Sequence, residues 1–533
     1  MAVAASRLPF LVFLSFFASS YAAKIVLFTP DLANSHLIYH KRVSETLAKA
    51  GHNVTILLIH GFQKNKLKIQ IDPRVTIWNV DAGVNRSEKF EKLHSQMTYS
   101  DSGLLSPETL ALMNIMMATV RQSCENLVSD KAFMDRVKSE EFDLAFVSMF
   151  ETCPIGIVHH AKIPSWIWLN AGQLMDHIAS EMGAPQPSSY VPIMMFDMKD
   201  SMTFFERTKN FVMANILSVT YRYLSVRHVT AIFRKHIDPD FPDINELGRQ
   251  CSLVMVNSNE MYDIPRPTLH KIVNIGGLGM EKKDAKKLTG DFKKIVERAE
   301  NVVIFSFGSV ANSSAMPMTW KRAFMNAFAQ FPDHEFVVRY TEHDMDDYKP
   351  PNVHLFKWLP QADLLQHPKV RAMISHGGYN TLQEVINAGK PLITIPLFAD
   401  QKRNGQLAQK HGFGYNLPKA VFSEENVKRG LEEVLRDPSY TTAVLRMQKM
   451  VQKRPFSSEQ LLVNWVEFLV EFKELPNLVP YGTKLPFYQL YQLDVIALLT
   501  AVTVGLLVLA GLVVRSLYRC CRRCRNSTKV KPE

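Results

Sequence analysis

Residues 24–59 read KIVLFTPDLANSHLIYHKRVSETLAKAGHNVTILLI, and their pattern determines the predicted fold class. An apolar strand at Lys24–Phe28 is followed by a helix at Ser35–Ala50, which ends at Gly51. A second apolar strand follows at Val54–Ile59. Strand, helix and strand joined by short loops form a parallel βα unit, because the helix has to cross back over the sheet. We therefore predict an α/β fold with a parallel sheet.

The same alternation recurs further along the chain. Strands are predicted at Asp143–Ser148 and Pro164–Leu169, and a second alternating stretch begins after Gly276-Gly277 with a strand at Val302–Phe307. It continues to a helix that ends at Arg436. Two α/β halves joined near residues 270–277 predict a cleft between them, and ligands of parallel sheets bind at the carboxyl ends of the strands.

A Met- and Phe-rich segment between about residues 173 and 234 interrupts the alternation. We predict helical core packing for it, with a pliable pocket wall or a membrane-dipping helix as the alternatives, because Met adapts to irregular apolar surfaces. The side chains concerned are Met194, Met195, Phe196, Met198, Met202, Phe204 and Phe205.

Composition and charge limit the class of protein. With 533 residues, 47% of them apolar and 10% aromatic, the chain is neither disordered nor a single small domain. The net charge of +11 is concentrated at the C-terminus, where residues 515–533 hold seven Lys/Arg and one Glu. Residues 23–514 hold 54 basic and 50 acidic side chains, so we expect no nucleic-acid partner. Six Cys exclude a disulfide scaffold.

Both chain ends carry predicted targeting segments. Residues 1–22 have one Arg, an apolar run and a small-residue end, the order of a cleaved signal peptide. After a linker at 476–494, residues 495–514 are free of charge and long enough for one membrane-spanning helix. The basic tail at 515–533 then lies in the cytosol by the positive-inside tendency, which predicts a type I single-pass protein.

Short patterns add modification and retrieval sites. Lys529 and Lys531, five and three places from the end, resemble the dilysine signal for retrieval to the endoplasmic reticulum membrane, where we place the protein. Asn53, Asn85 and Asn312 each begin an Asn-x-Ser/Thr glycosylation motif. No disulfide pairing can be assigned among Cys124, Cys153 and Cys251, the cysteines of the predicted lumenal part.

The segment richest in chemistry begins with Trp358-Leu-Pro-Gln361 and runs through Ser375-His-Gly-Gly378 to Asp400-Gln401. The Gly-Gly turn follows a strand and opens a helix, an arrangement in which backbone N–H groups and the helix N-terminus favour an anion. Phe305-Ser-Phe-Gly-Ser309 is a second strand-end glycine turn. Two such turns facing one cleft suggest a diphosphate ligand.

The run from Trp358 to Gln401 resembles the signature of the UDP-glycosyltransferase family (glycosyltransferase family 1), in its animal UDP-glucuronosyltransferase branch. The similarity covers essentially the whole chain. It implies the GT-B fold, in which two Rossmann-like domains face each other. We place the acceptor-binding domain at 23–272 and the UDP-sugar-binding domain at 273–475.

The resemblance also implies a set of donor-binding residues. Trp358 stacks on uracil, Gln361 bonds its edge, and Glu384 accepts the ribose hydroxyls. Arg266 approaches the phosphates from the interdomain segment. Binding of the diphosphate is assigned to Ser309, His376, Gly377, Asn380 and Thr381, and binding of the transferred sugar to Asp400 and Gln401. No metal or other cofactor is expected, because dipoles and side chains stabilise the leaving UDP.

On the acceptor side, Ser35-His36 matches the catalytic Ser-His of the family. His36 is expected to act as the general base that takes the proton of the acceptor hydroxyl, with inversion at the anomeric carbon. His40 is interpreted as a surface or packing residue. The family orients this His with an Asp, but that position holds Ser148, so Glu151, Ser148 or no acidic partner remain open.

The sequence therefore predicts inverting transfer of glucuronate from UDP-glucuronate to hydroxyl groups of small lipophilic acceptors. Transfer from UDP-glucose and a catalytically weak nucleotide-sugar-binding membrane protein are the alternatives, and Lys402 or Arg403 is the candidate cation for a glucuronate carboxylate. A hydrolase built on Ser375-His376 is disfavoured, because Gly-x-Ser-x-Gly is absent. A homo-oligomer is possible.

Overall fold

The computed structural model describes residues 22–61, 70–84, 88–100, 103, 106–280 and 285–527. The signal peptide predicted at 1–22 lies outside this range apart from Ala22, as do Asn85, Lys529 and Lys531. The chain divides into two compact units, residues 1–478 and 479–533.

The first half of the larger unit is built on a seven-stranded parallel sheet, in the order β3-β2-β1-β4-β5-β6-β7. Its strands are β1 (Lys24–Pro30), β2 (Asn53–His60), β3 (Thr76–Asp81), β4 (Leu144–Ser148), β5 (Trp166–Asn170), β6 (Leu253–Val256) and β7 (Ile272–Asn274). The helices are α1 (Asn34–Lys49), α2 (Glu88–Tyr99), α3 (Pro107–Ser129), α4 (Lys131–Ser139), α5 (Cys153–His160), α6 (Asp176–Glu181), α7 (Phe204–Thr220), α8 (Arg227–His236) and α9 (Ile244–Arg249).

The second half holds a six-stranded parallel sheet, in the order β10-β9-β8-β11-β12-β13. Its strands are β8 (Asn301–Ser306), β9 (His334–Arg339), β10 (Val353–Phe356), β11 (Val370–Ser375), β12 (Leu392–Thr394) and β13 (Gly414–Asn416). Helices α10 (Gly290–Arg298), α11 (Met318–Ala329), α12 (Gln361–Leu365), α13 (Tyr379–Ala388), α14 (Gln401–Lys410), α15 (Glu424–Arg436) and α16 (Pro438–Gln452) pack around it. Both sheets are therefore doubly wound, and the α/β prediction is confirmed.

The boundary between the halves differs from the prediction in two places. Strand β7 adds to the edge of the first sheet, beside β6. Helix α17 (Ser458–Phe472) packs on the first half, although the sequence placed it in the second domain at 273–475. Leu462, Val466 and Leu469 are buried there in the core shared with β1 and α1. The chain thus returns to its first domain before it leaves the unit, because this helix carries an apolar stripe that needs cover.

The smaller unit contains α18 (Phe487–Leu490) and α19 (Leu493–Ser527). The apolar part of α19 is long enough to cross a membrane, and it lies within Leu493–Arg525. It includes the predicted span at 495–514, and Cys520, Cys521 and Cys524 are exposed on its basic end.

One disulfide joins Cys124 of α3 to Cys153, the first residue of α5. Cys251, the third cysteine between residues 23 and 494, is a buried free thiol. Spacing along the chain could not distinguish these three, because the fold brings together residues from two separate helices.

Candidate active site

His36 lies in the first turn of α1, directly after the carboxyl end of β1. Its ring stacks on Phe150, with 4.5 Å between the ring centroids. The Nδ1 atom is buried and has no hydrogen-bond partner among the residues the structure describes. Burial lowers the pKa of His36 to about 4, so its imidazole is neutral at physiological pH. A neutral imidazole has the lone pair that a proton acceptor requires.

His40, one turn further along α1, is a packing residue. It is fully enclosed, and its Nδ1 lies 2.8 Å from the Thr29 hydroxyl. Burial lowers its pKa to about 3. His40 is therefore a buried structural residue and not a surface residue.

Neither predicted partner of His36 is bonded to it. The Ser148 hydroxyl accepts from the backbone N–H of Phe150, whose ring stacks on the imidazole face. Glu151 is only 4% exposed, and burial, together with nearby Asp31, raises its pKa to about 8. A carboxyl that keeps its proton at neutral pH cannot stabilise an imidazolium by charge, so the anionic role suggested for Glu151 is not supported by this geometry.

A cavity of about 800 Å³ opens in front of His36. The first half of the unit supplies most of its wall, including Phe90, Met113 and Phe150. The second half closes it with Phe398 and Lys402, next to the predicted sugar-binding pair. The cavity thus lies between the two halves and is mainly apolar, as expected for a site that binds a lipophilic molecule.

The Met-rich segment divides between the cavity and the surface. Met195 and Phe196 line the cavity, together with Met213 of α7. Phe204 and Phe205, at the start of the same helix, are exposed. The prediction of core packing is therefore wrong for these two phenylalanines, while Met195 and Phe196 form part of a pocket wall, as one of the alternatives predicted.

The predicted uracil shelf is open to a ligand, since Trp358 is 51% exposed. Arg339, the last residue of β9, places its guanidinium 5.2 Å from the centroid of the Trp358 ring and donates from Nη1 to the carbonyl of Gly308. His376 also lies close to Arg339, which helps burial to lower its pKa to about 4. Arg339 was not among the predicted site residues. Its position at the carboxyl end of a strand, where ligands of parallel sheets bind, is the feature of the sequence that could have indicated it.

Next to this shelf, Gln361 of α12 binds two residues of α13. Its amide donates to the Glu384 carboxylate at 2.7 Å and to the Thr381 hydroxyl at 3.3 Å. Arg42 of α1 approaches Glu384 from the other half, with Nη2 3.8 Å from Oε1. Burial raises the pKa of Glu384, while Arg42 and Gln361 oppose that rise.

The glycine turns before α13 are tightly packed around His376. A Cβ on Gly308 would lie 2.7 Å from the His376 ring, and one on Gly378 would meet the same ring at 2.7 Å. Gly378 is the N-cap of α13 and offers no side-chain cap, so the N–H groups of the first turn can donate to an anion. The N–H of Gly377 donates to the Ser375 hydroxyl at 3.3 Å, and its predicted contact with the diphosphate stays a prediction.

Arg266 lies apart from the shelf, against Asp176 at 3.8 Å. All three of its guanidinium nitrogens are buried without a hydrogen-bond partner in the described part of the chain. Such unused donors fit an anionic ligand, because leaving them unpaired is costly. Its predicted approach to the phosphates, beside His376 and Ser309, stays a prediction.

The predicted sugar-binding pair begins α14. Asp400 is the N-cap of this helix and accepts from Asn404 at 2.8 Å. The side-chain oxygen of Gln401 accepts from the backbone N–H groups of Leu397 and Phe398, at 2.8 and 3.0 Å. Gln401 therefore fixes the loop that borders the cavity, and its amide nitrogen has no partner in the described part of the chain, so it can bind a ligand.

Known proteins share this arrangement of sequence and fold. The family profile described as "UDP-glucoronosyl and UDP-glucosyl transferase" matches residues 23–530. The chain belongs to this family. The protein is thus a UDP-glycosyltransferase, and the resemblance seen in the sequence is confirmed.

Named relatives cover nearly the whole length of this UDP-glycosyltransferase. The "Putative UDP-glucuronosyltransferase ugt-47" of Caenorhabditis elegans is 31% identical over 91% of each chain. "UDP-glucuronosyltransferase 3A2" of Homo sapiens is 29% identical over 92% of this chain and 93% of its own.

Solved structures establish the fold class. The glycotransferase of kitacinnamycin matches with a TM-score of 0.57 at 15% identity, over 85% of this chain and 99% of its own. Spinosyn forosaminyltransferase SpnP matches with a TM-score of 0.55 at 15% identity, over 84% and 99%. With its two parallel Rossmann-type sheets, the UDP-glycosyltransferase has the GT-B fold.

Proposed function

We propose that this UDP-glycosyltransferase transfers glucuronate from UDP-glucuronate to hydroxyl groups of small lipophilic acceptors, with inversion at the anomeric carbon. One observation carries the proposal. The general-base candidate His36 lines the same apolar cavity of about 800 Å³ as Phe398 and Lys402, which flank the sugar-binding pair. Acceptor, base and donor can therefore meet in one space.

In this proposal His36 accepts the proton of the acceptor hydroxyl while the oxygen forms the new bond to the anomeric carbon. The bond from that carbon to the UDP oxygen breaks on the opposite face, so the configuration inverts. The imidazole is neutral in the resting enzyme because burial lowers its pKa. No charged partner is required, and Ser148 and Glu151 act on the base through Phe150 and local packing only.

Positively charged side chains and backbone dipoles surround the proposed position of the leaving UDP. The candidates are the open N-terminus of α13, Arg339 beside Trp358, and the guanidinium of Arg266, whose nitrogens have no hydrogen-bond partner among the described residues. We propose that these groups stabilise the developing negative charge and that no metal ion is needed. Transfer rates that stay unchanged in excess EDTA would support this, and rates restored only by Mg²⁺ or Mn²⁺ would refute it.

Lys402 is the better candidate for the glucuronate carboxylate. Arg403 is 1% exposed and its Nη2 donates to Asp263 at 3.2 Å, away from the cavity that contains His36. Lys402 lines that cavity, and its ammonium forms no bond within the residues described. Lys419 also lines it, but its ammonium is bonded to three backbone carbonyls.

We further propose that the protein is a type I protein of the endoplasmic reticulum membrane with its catalytic part in the lumen. The apolar part of α19 and the arginines at its C-terminal end support this topology. The disulfide between Cys124 and Cys153 fits an oxidising compartment. Asn53 and Asn312 are exposed and accessible for glycosylation.

A donor panel tests the proposed function. The full-length enzyme is assayed with UDP-glucuronate, UDP-glucose and UDP-N-acetylglucosamine on a mixed phenol pool. The proposal is supported if kcat/KM is highest with UDP-glucuronate. That value should fall at least 10-fold in Lys402→Gln and be kept in Lys402→Arg. Preference for UDP-glucose, with no effect of Lys402→Gln, contradicts the glucuronate assignment, and the absence of transfer from every donor contradicts the activity itself.

A further inference from the structure

The helix that carries His36 and the helix that carries the ribose carboxylate touch at two points. Asn380 of α13 donates from Nδ2 to the carbonyl of Ser35 at 3.4 Å. Four residues later on α13, Glu384 lies 3.8 Å from the guanidinium of Arg42. Ser35 directly precedes His36 and Arg42 follows it by six positions, so the two contacts bracket the base.

Arg42 is held in place but not saturated. The stem of its side chain packs against Gly279, where a Cβ would lie 3.4 Å from the Arg42 Cγ. Its side chain is 15% exposed, and that of Glu384 is 14% exposed. Nη1 of Arg42 is buried and has no hydrogen-bond partner in the described residues. A buried guanidinium with one free end beside a ligand-binding carboxylate is costly without a function, because unpaired donors lose their hydration.

We propose that Arg42 is a positioning residue for the donor nucleotide, which keeps the Glu384 carboxylate ready for the ribose and ties the His36 helix to the bound UDP. The inference rests on the proposed function, in which Glu384 accepts the ribose hydroxyls. An ionised carboxylate accepts two such bonds, whereas a protonated one has to donate one hydrogen. Arg42 comes from the acceptor half, so nucleotide binding and base alignment share one contact.

The groups that face Glu384 set the direction of its pH dependence. Arg42 from α1 and Gln361 from α12 lower its pKa, whereas burial and Asp363 of α12 raise it. Removing the Arg42 charge therefore moves the pKa of Glu384 upward. UDP binding, which needs the carboxylate, is then lost at a higher pH than in the wild type.

The probe is UDP itself, titrated into the full-length enzyme by calorimetry between pH 5 and pH 8. Arg42→Met is expected to weaken UDP binding about 10-fold at pH 7 and to shift the acidic loss of binding to higher pH. Arg42→Lys is expected to recover part of both. Lys41→Met is the matched control on the same helix, because Lys41 pairs with Glu45 at 3.3 Å and not with Glu384.

A double variant separates this role from general destabilisation. If Arg42 acts through Glu384, Arg42→Met costs less than about twofold in UDP affinity when Glu384→Gln is already present. If Arg42→Met binds UDP with the affinity of the wild type and loses binding at the same acidic pH, this inference is overturned and the proposed function is not affected. Failure of the wild-type enzyme to bind UDP overturns the proposed function, and the role of Arg42 with it.

Discussion

Replacing Glu151 with Gln tests whether this buried carboxyl group destabilises the folded protein or takes part in catalysis. In the folded protein its pKa is about 8, against an ordinary value of 4.5. Between these values the unfolded chain is ionised at this residue while the folded protein keeps its proton. Stability from this group is therefore complete below pH 4.5 and falls as the pH rises towards 8.

The size of the effect follows from the same difference. At pH 7 the pH exceeds the ordinary pKa of 4.5 by about 2.5 units, and each unit is worth about 1.4 kcal/mol, so the upper limit of the lost stability lies between about 3 and 4 kcal/mol. Glu151→Gln keeps the shape of the protonated carboxyl and removes this loss. We expect it to raise the melting temperature by several degrees at pH 7 and by almost nothing at pH 5. Glucuronide formation at pH 7 should stay within about threefold of the wild type.

The assay is thermal unfolding of the purified enzyme from pH 5 to pH 8, beside the transfer rate at pH 7. Glu181→Gln is the control, because Glu181 is equally buried but is bonded to Arg222 at 2.5 Å and Arg249 at 3.0 Å. That variant should be destabilised at every pH in the range. A Glu151→Gln protein with the wild-type pH dependence of unfolding, or with activity reduced more than 10-fold, would refute the reasoning.

Three further predictions concern the nucleotide shelf, the disulfide and the glycine turn. Trp358→Ala should raise the KM for the UDP-sugar about 10-fold. Trp358→Phe keeps an aromatic ring and should raise this KM less, and equal KM values in the two variants would count against stacking. Replacing Cys124 and Cys153 together by Ser should lower the free energy of unfolding by about 3–4 kcal/mol, because the disulfide closes a loop with a sequence separation of 29 residues. An unchanged denaturation midpoint would contradict this. Gly308→Ala should abolish most UDP binding, because φ of residue 308 is +71° and the new Cβ would lie 2.7 Å from the His376 ring. A wild-type affinity for UDP in calorimetry would refute that contact.

The sequence predicted best the strands that are apolar throughout and follow clear turns. Val353–Phe356 and Val370–Ser375 have the predicted bounds, and Lys24–Phe28 was short by two residues. Strands β3, β6, β7 and β13 were not predicted. Strands β6 and β7 have only four and three residues, and such short apolar runs are also found in buried helices, whereas β13 is Gly-Tyr-Asn and has no apolar run. Helix α3 was missed because Met and Leu occupy its cavity-facing side as well as its core side, which weakens the helical periodicity.

The candidate site was predictable where its residues follow one another along the chain. The run from Trp358 to Gln401 contains most of the predicted donor-binding residues, and the fold brings Gln361, Thr381 and Glu384 into contact. Arg42 was not found, because a single Arg on an amphipathic helix resembles any solvated charge. The partner of His36 could not be settled either, since it depends on how the side chains after β4 turn relative to α1.

The most direct test compares His36→Ala with the wild type in two measurements on the same preparation. We expect the UDP-glucuronate-dependent transfer rate to fall by about 10²- to 10⁴-fold, because the acceptor hydroxyl loses its proton acceptor. The dissociation constant for UDP should stay within about twofold, since the imidazole contacts Phe150 and not the nucleotide shelf. A His36→Ala enzyme that still transfers glucuronate at a rate within a few-fold of the wild type would contradict the assignment of His36 as the base.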